Sequence, residues 1–228
     1  MANKALQSAL ESVRKEIERQ FVECYTAIRT YTVVSQDRCL VLYDLAGQTL
    51  GLDGAWFECG VYRGGTAMLL ATVIQGSGYD IPLHLFDTFQ GMPEVDPKVD
   101  RHRKGDFHDT DVVEVMRRLY DIDSKSVIFH QGFIPDTFEG LALPNGIALA
   151  HVDVDIFKSV WDCCEFIYPR LVPGGFLLFD DYRFPKCPGA KKAVDEFFSN
   201  LPETPQVLPT RQALVVKGYR PGTKKENV

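Results

Sequence analysis

The sequence has 228 residues, of which 45% are hydrophobic and 25% are charged, a composition typical of a folded domain and not of a disordered chain. The 31 acidic side chains outnumber the 25 basic ones, and the net charge of -6 disfavours nucleic acid as a partner. No apolar run approaches the roughly 18 residues of a membrane span and no signal-peptide core is present, so we expect a cytoplasmic protein without a membrane partner.

The first 50 residues are predicted to form a helical extension. From Leu6 to Phe21, apolar residues recur at three- and four-residue steps between charged ones, which predicts an amphipathic helix. A second helix is predicted over residues 36–46 and is expected to end at Gly47, because glycine commonly terminates helices. The first helix either pads the edge of the core, forms the contact of a homodimer, or covers a substrate as a lid.

Residues 51–220 are predicted to form a single α/β domain. Short, almost continuously apolar runs are typical of strands that are buried on both faces of a parallel sheet. Five such strands are predicted, at residues 55–59, 83–87, 127–131, 147–153 and 175–180. Helices are predicted among them at residues 64–75, 111–119, 159–168 and 190–198. This alternation predicts a doubly wound, Rossmann-like sheet.

The C-terminal part is predicted to add an antiparallel hairpin to one edge of the sheet. Its strands are expected at residues 206–208 and 213–217, since too little chain separates them for a crossover. Residues 221–228 are interpreted as a tail. The six cysteines show neither a CxxC pair nor another zinc-like spacing, so we interpret them as reduced thiols that pack in the core.

The turn after the first predicted strand is the first candidate for a ligand site, because ligands of open parallel sheets bind at the carboxyl ends of strands. Glycines at 60, 64 and 65 permit close backbone approach, yet neither the phosphate-loop motif nor the GxGxxG dinucleotide fingerprint is present. Asp87 ends the second strand, where a carboxylate accepts hydrogen bonds from ribose hydroxyls. S-adenosylmethionine, a nucleoside that carries an amino acid, therefore fits better than NAD or ATP.

Acidic residues follow the fourth and fifth strands. Adjacent parallel strands would bring Asp153, Asp180 and Asp181 together at one rim. Three neighbouring carboxylates stay ionised only if a cation neutralises them, and an all-oxygen ligand set favours Mg²⁺. The alternative is that some of these aspartates cap helices. Because side chains alternate along a strand, Asp153 and Asp155 are expected to face opposite sides.

Several runs of the sequence resemble the macrocin O-methyltransferase (TylF) family: FECGVYRGGT, FDTFQGMPE, HVDVD, FDDY, and LVPGG before the fifth strand. The resemblance covers about residues 32–217. It implies a methyltransferase domain at 51–220 that uses S-adenosylmethionine and Mg²⁺ to methylate a hydroxyl on a sugar of a bacterial natural product.

The resemblance also assigns residues to the site. Register with the catechol-type O-methyltransferases places the cofactor-binding residues at Glu58, Gly60, Tyr62, Gly64, Thr66 and Asp87. Asp87 is assigned to the ribose and the others, apart from the turn residue Gly64, to the methionine end. The metal ligands become Asp153, Asp180 and Asp181.

The implied chemistry is direct transfer of the methyl group to a metal-bound hydroxyl, with a general base. Many catechol-type enzymes place a lysine three residues after the first metal ligand, but this chain has Ile156 there and Lys158 is out of register. The base is therefore expected to be a carboxylate, Asp153 or Asp155. The polar, proline-containing residues 90–107 are expected to be a mobile cover that excludes water. The histidines are interpreted as surface or packing residues: His102, His108, His130 and His151.

Two other classes of function compete with this interpretation. Asp153-Val154-Asp155 is a DxD motif, as found in metal-dependent nucleotide-sugar glycosyltransferases, but that function leaves Asp180, Asp181 and the glycine turn unexplained. A methyltransferase-like binding protein without activity is disfavoured by the intact acidic residues. For the acceptor, the sequence leaves sugar, glycosylated polyketide and phenol open.

Overall fold

The structure is a computed structural model that describes residues 2–123 and 125–218. Within these residues the helices and strands follow in this order: α1 Ala2–Ile28, α2 Gln36–Thr49, β1 Ala55–Cys59, α3 Gly65–Ser77, β2 Leu83–Asp87, α4 Val112–Asp123, β3 Val127–Gln131, β4 Ile147–Val152, α5 Phe157–Ile167, β5 Leu171–Phe179, α6 Pro188–Phe198, β6 Gln206–Val207 and β7 Ala213–Val216. Short 3₁₀ turns lie at Asp136–Phe138 and Tyr168–Arg170. The predicted tail at 221–228 lies outside the described residues.

The strands form one sheet in the order β3-β2-β1-β4-β5-β7-β6. Strands β1 to β5 pair in parallel, whereas β7 runs antiparallel to both β5 and β6. The doubly wound α/β fold and the antiparallel edge hairpin are therefore confirmed. The strand order reverses between β1 and β4, and in such sheets the crevice at the carboxyl ends of these two strands is where ligands bind.

Helices cover the sheet on both faces, which explains why the strands are apolar throughout. Every residue of β1 and β4 is buried. Trp56 faces a cluster that includes residues of α1 to α4, and its neighbour Phe57 faces the opposite cluster, formed with α5 and α6. Successive side chains of a strand thus enter two different cores. Burial of both faces fixes the register and hence the position of each strand end.

Several predicted boundaries differ from the structure, and two of the differences have a clear physical reason. Helix α2 passes through Gly47 and ends at Thr49, since Thr49 is buried and its hydroxyl donates to the carbonyls of Leu45 and Ala46. Packing of this last turn outweighs the roughly 1 kcal/mol that an internal glycine costs. Strand β5 begins at Leu171, four residues earlier than predicted, because an irregularity in the β4–β5 pairing accommodates the following Pro-Gly-Gly.

Helix α1 is longer than predicted, and its two halves differ in environment. Phe21 and Ile28 in the second half are buried against the core. The same apolar stripe continues into the first half, where Leu6, Leu10 and Val13 are 57 to 60% exposed. A homodimer contact through this stripe stays a prediction. Among residues 2–123 and 125–218, none of the helices combines the length and apolarity that crossing a bilayer demands.

Candidate active site

A cavity of about 360 Å³ opens at the carboxyl ends of β1, β2 and β4, where the strand order reverses. Five parts of the chain form most of its wall: the α1–α2 connection, the turn after β1, the segment between β2 and α4, the loop after β3, and the acidic loops after β4 and β5. Of the residues assigned to the cofactor from the sequence, the structure places Gly60, Tyr62, Thr66 and Asp87 on this wall.

The turn after β1 depends on glycine. Gly60 has a φ of 89°, and a Cβ on it would lie 1.9 Å from the carbonyl oxygen of Asp153. Such a contact is impossible for any residue with a side chain, so the backbones after β1 and β4 approach this closely only with glycine at position 60. Gly64, at φ 86°, begins α3 and lies outside the cavity wall.

Asp87 holds this turn in place. Its Oδ2 accepts the N–H groups of Val61 and Tyr62 at 2.7 and 2.8 Å, and its Oδ1 accepts that of Phe89 at 2.7 Å. Each carboxylate oxygen has two acceptor positions, so Oδ1 keeps one for a ligand. While the turn is intact, Asp87 can therefore accept one ribose hydroxyl without losing a backbone hydrogen bond.

Glu58 lies behind the cavity wall and not on it. Its side chain is fully buried, and its Oε1 lies 3.1 Å from Nδ1 of His151. Burial raises the pKa of Glu58, an effect that hydrogen bonds from His151 and Thr66 oppose. Since Thr66 does line the cavity, the structure makes Glu58 a support for a wall residue. His151, interpreted from the sequence as packing, connects Glu58 to the acidic residues.

Asp153, Asp155 and Asp181 all line the cavity. The expectation that Asp153 and Asp155 face opposite sides is wrong. Strand β4 ends at Val152, so the alternation of a strand does not extend to these residues. Asp155 also has a φ of 59°, which turns the chain back, and its N–H donates to Oδ2 of Asp181 at 3.0 Å.

The cavity wall is strongly acidic at this point. Burial, together with the charge of Asp153, raises the pKa of Asp155 to about 6. Burial also raises the pKa of Asp181 well above its usual range, with the charges of Asp155 and Asp153 acting in the same direction. Crowded carboxylates of this kind favour a bound proton or a bound cation.

Arg38 of α2 supplies part of the compensating charge, which the sequence did not indicate. Its guanidinium contacts the Asp180 carboxylate and lies 3.8 Å from Oδ1 of Asp181. Asp180 is fully buried below the wall, where its Oδ1 also accepts a hydrogen bond from Gln212 at 2.6 Å. Arg38 and Asp180 are 142 residues apart, so only the packing of α2 against the sheet reveals the pair.

The expected metal set of Asp153, Asp180 and Asp181 is not compact. Among the described residues, the compact set that contains Asp153 and Asp180 has His151 in place of Asp181, with ligand atoms within 4.8 Å of one another. The reason is that Asp180 and Asp181 diverge: the first reaches toward His151 and Gln212, the second toward Asp155.

The residues nevertheless fit a divalent cation. Four carboxylates lie near the Arg38 guanidinium, which leaves an excess of negative charge: those of Asp153, Asp155, Asp180 and Asp181. Nε2 of His151 is buried without a hydrogen bond and lies 3.4 Å from Oδ1 of Asp180, whereas Oδ2 of Asp180 is engaged by Arg38. Carboxylate oxygens are the ligands that Mg²⁺ prefers, so the donor set suits this ion better than a softer one.

The fold and the cavity define a class I methyltransferase. The solved structure of the O-methyltransferase NovP superposes with a TM-score of 0.74 at 25% sequence identity, covering 82% of each chain. The sequence model of the Macrocin-O-methyltransferase (TylF) family matches residues 4–203. This chain belongs to that family and is an S-adenosylmethionine-dependent O-methyltransferase. The glycosyltransferase and inactive-protein interpretations are therefore set aside.

Two curated relatives are similar to this chain in sequence. Demethyldecarbamoylnovobiocin O-methyltransferase from Streptomyces niveus is 30% identical over 197 residues, which cover 82% of this chain and 72% of the relative. A methyltransferase from Streptomyces olivaceus, named 8-demethyl-8-(2,3-dimethoxy-alpha-L-rhamnosyl)-tetracenomycin-C 4'-O-methyltransferase, is 32% identical over 149 residues, which cover 60% of this chain and 56% of the relative.

Proposed function

We propose that this enzyme methylates a sugar hydroxyl of a glycosylated natural product and that it requires Mg²⁺ at the acidic end of the cavity. The observation that carries the proposal is the placement of Asp153, Asp155 and Asp181 together on the wall of the cavity. The rhamnosyl group in the name of one relative supports a sugar as acceptor.

The cofactor end of the cavity is assigned to the turn after β1. Gly60, Tyr62 and Thr66 would contact the methionine end of S-adenosylmethionine, and the remaining acceptor position of Asp87 would take a ribose hydroxyl. When bound, S-adenosylmethionine supplies a methyl group on a sulfonium. The neutral thioether that remains after transfer leaves without activation by the protein. The residues of this chain therefore act mainly by orientation.

The acceptor end is assigned to the aspartates. Asp153, Asp180 and Asp181 would hold Mg²⁺, which when bound lowers the pKa of a hydroxyl that it contacts. We assign Asp155 as the general base, because it lines the cavity, lies outside the compact set of His151, Asp153 and Asp180, and has a raised pKa. A carboxylate with a pKa near the working pH accepts a proton efficiently.

The rim of the cavity suits the rest of a glycosylated acceptor. Val33, Phe133 and Phe184 line the cavity and are 66%, 46% and 41% exposed, respectively. Exposed apolar side chains at the mouth of a cavity mark a surface that binds an apolar ligand. We assign this rim to the aglycone, which would leave the sugar to reach the aspartates.

The cysteines and the net charge bear on the location of the enzyme and on its partners. We propose a cytoplasmic enzyme, supported by six cysteines that are all free and buried, since free thiols are typical of reducing compartments. Its partner is a small hydroxyl-bearing acceptor and not nucleic acid, in keeping with the net charge of -6.

The cofactor assignment predicts the effect of Asp87→Ala. This change should weaken binding of S-adenosylhomocysteine by about 1.5 to 3 kcal/mol, because it removes a charged acceptor and frees the N–H groups that hold the turn. Isothermal titration calorimetry measures the loss, and thermal unfolding checks that the variant folds. Asp80→Ala, at an exposed position before β2, is the control and should bind normally. Normal binding by folded Asp87→Ala would contradict the assignment.

The magnesium assignment predicts a pH-dependent stabilisation. Burial raises the folded-state pKa values of Asp155 and Asp181 above the ordinary value of 3.8, so without metal the stability falls as pH rises from about 4 through about 6 and beyond. Mg²⁺ competes with these protons and should raise the melting temperature more at about pH 7.5 than at about pH 5.5. At 100 times its Kd the gain is about 2.7 kcal/mol.

Differential scanning calorimetry at both pH values measures this gain. Asp153→Asn should lose it, because one ligand is gone, whereas Asp80→Ala should keep it. An equal melting temperature with and without Mg²⁺ at both pH values would contradict a magnesium site.

The segment 90–107 is predicted to act as a lid. Its contacts with the rest of the domain include three polar ones: Asp100 accepts the N–H of Phe157 at 2.9 Å, Arg101 donates to the carbonyl of Pro185 at 2.9 Å, and His102 lies 3.5 Å from Oδ1 of Asp155. Because closure over bound ligands would add contacts to this segment, we expect trypsin to cleave after Lys98 faster without ligands than with S-adenosylhomocysteine and acceptor. Cleavage after Lys125, near the amino end of β3, is the internal control. Equal protection at both sites under both conditions would argue against a lid.

A further inference from the structure

A second cluster of metal-binding side chains lies beside the acidic residues. It consists of His102 from the segment 90–107, Asp155 from the loop after β4, and Cys187 at the start of α6. We propose that these three side chains form a binding site for a thiophilic divalent ion of the Zn²⁺ class, separate from the magnesium site.

The distances in the cluster are close to those of a tetrahedral site. The Sγ of Cys187 lies 3.1 Å from Oδ1 of Asp155 and 3.6 Å from Nε2 of His102, and this Nε2 lies 3.5 Å from the same Oδ1. With zinc bond lengths of about 2.0 to 2.3 Å, ligand atoms at tetrahedral angles are about 3.3 to 3.6 Å apart. The two distances to Nε2 match one face of a zinc tetrahedron, and the shorter distance between Sγ and Oδ1 is that of the thiol hydrogen bond, which the ion would replace.

The chemistry of the ligands selects the ion. Thiolate and imidazole favour zinc and similar ions, whereas Mg²⁺ prefers carboxylate, carbonyl and water oxygens. The set His102, Asp155 and Cys187 thus differs in preference from the carboxylates of Asp153 and Asp181. Three protein ligands leave a fourth position open, as in catalytic zinc sites.

An outer carboxylate orients the histidine. Nδ1 of His102 lies 3.1 Å from Oδ2 of Asp106, while Nε2 points into the cluster. A carboxylate that accepts the second ring N–H fixes the tautomer and makes the metal-facing nitrogen a better ligand.

The cluster is sheltered but can be reached. Cys187 is 1% exposed, and the side chains of His102 and Asp155 are 11% and 16% exposed. His102 and Asp155 line the large cavity, which provides a path for an ion. Without metal, the Cys187 thiol donates to Asp155, and burial beside acidic groups raises the pKa of this thiol. Metal binding would release the thiol proton to solvent and leave the thiolate as ligand.

The site would control the enzyme. An ion bound there would engage Asp155, the proposed general base, and would connect the segment 90–107 to α6. We therefore expect thiophilic ions to inhibit methyl transfer even at saturating Mg²⁺. This consequence rests on the proposed function, whereas binding of the ion does not.

The test uses Co²⁺ as a spectroscopic substitute for Zn²⁺ on the chelator-treated full-length protein. We expect one Co²⁺ per chain with a thiolate-to-cobalt charge-transfer band, which Zn²⁺ displaces and excess Mg²⁺ does not. Cys187→Ser should abolish the band, and His102→Gln should weaken binding at least tenfold. Cys24→Ser and His108→Gln, changes of the same type outside the cluster, should leave the band and the affinity unchanged.

A further variant separates ligand loss from misfolding. Asp106→Asn keeps all three ligands and should lower Co²⁺ affinity by about 10- to 100-fold, the usual effect of removing an outer carboxylate. This side chain is 42% exposed, so the change should leave the fold intact. A band that persists in Cys187→Ser, no band in the wild type, or unchanged affinity in Asp106→Asn would each overturn the proposal. A failed magnesium titration would leave this result unaffected, so the two proposals are tested separately.

Discussion

Asp155→Asn is expected to lower kcat by about 10²- to 10⁴-fold, the usual cost of removing a general base. Asparagine has the shape of aspartate but cannot take the proton of the acceptor hydroxyl. Because Asp155 lies outside the cofactor end of the cavity, affinity for S-adenosylhomocysteine should stay within about twofold of the wild type. The wild-type rate should rise with pH through a limb at or below about 6, and this limb should be absent from the variant.

Asp153→Asn is the matched comparison, because it changes the neighbouring carboxylate that is assigned to the metal. It should lose Mg²⁺ affinity together with activity, whereas Asp155→Asn should keep Mg²⁺ affinity and lose activity. Steady-state kinetics and calorimetric metal titration on both variants separate the two roles. A near-normal kcat in Asp155→Asn would mean that another residue is the base. Loss of Mg²⁺ binding in Asp155→Asn would mean that Asp155 is a metal ligand.

Arg38→Met is expected to destabilise the metal-free enzyme by about 3 to 5 kcal/mol, the cost of leaving buried charges without their partner. The Arg38 side chain is 13% exposed and the Asp180 carboxylate that it contacts is fully buried. Methionine fills a similar volume but carries no charge, so the four carboxylates would repel one another without compensation. Urea unfolding at neutral pH with a chelator present measures the change.

Added Mg²⁺ should restore part of this stability, because it supplies the positive charge that the variant lacks. Arg38→Lys should cost less, since it keeps the charge but loses the two-pronged guanidinium. Arg14→Met is the surface control: Arg14 is 82% exposed in its ion pair, and its loss should change the free energy of unfolding by no more than about 0.5 kcal/mol. Unchanged stability of Arg38→Met would show that Arg38 does not neutralise the carboxylates.

The strands that carry the site were predictable because buried strands consist of short runs of apolar residues. β1, β2 and β3 have the predicted bounds, since each is a short apolar run that ends at a glycine or a polar residue. Strand ends in turn place Asp87 and the acidic residues at the same edge of the sheet. The position of the cavity therefore followed from local pattern and topology.

Details that depend on packing or on single dihedral angles were not predictable. The positive φ of Asp155 turns its side chain to the same cavity as Asp153, and no strand pattern contains that information. Gly47 remains helical because its neighbours in α2 are buried. In both cases, tertiary contacts override a local preference.

Partners that are distant in sequence were missed for the same reason. Arg38 meets Asp180 across 142 residues, and Cys187 meets His102 across 85. Spacing rules for metal sites search for ligands that are close in the chain, so they cannot detect a cluster that three separate loops assemble.

We propose a sugar hydroxyl as the methyl acceptor and Mg²⁺ as a requirement for transfer. The most direct measurement follows an isotopically labelled methyl group from S-adenosylmethionine to three acceptors: an aromatic deoxysugar glycoside, its aglycone, and the free sugar. We predict that the label appears on a sugar oxygen of the glycoside, that a chelator stops the transfer and that Mg²⁺ restores it. Label on the aglycone, or transfer at an unchanged rate in the presence of the chelator, would contradict this account.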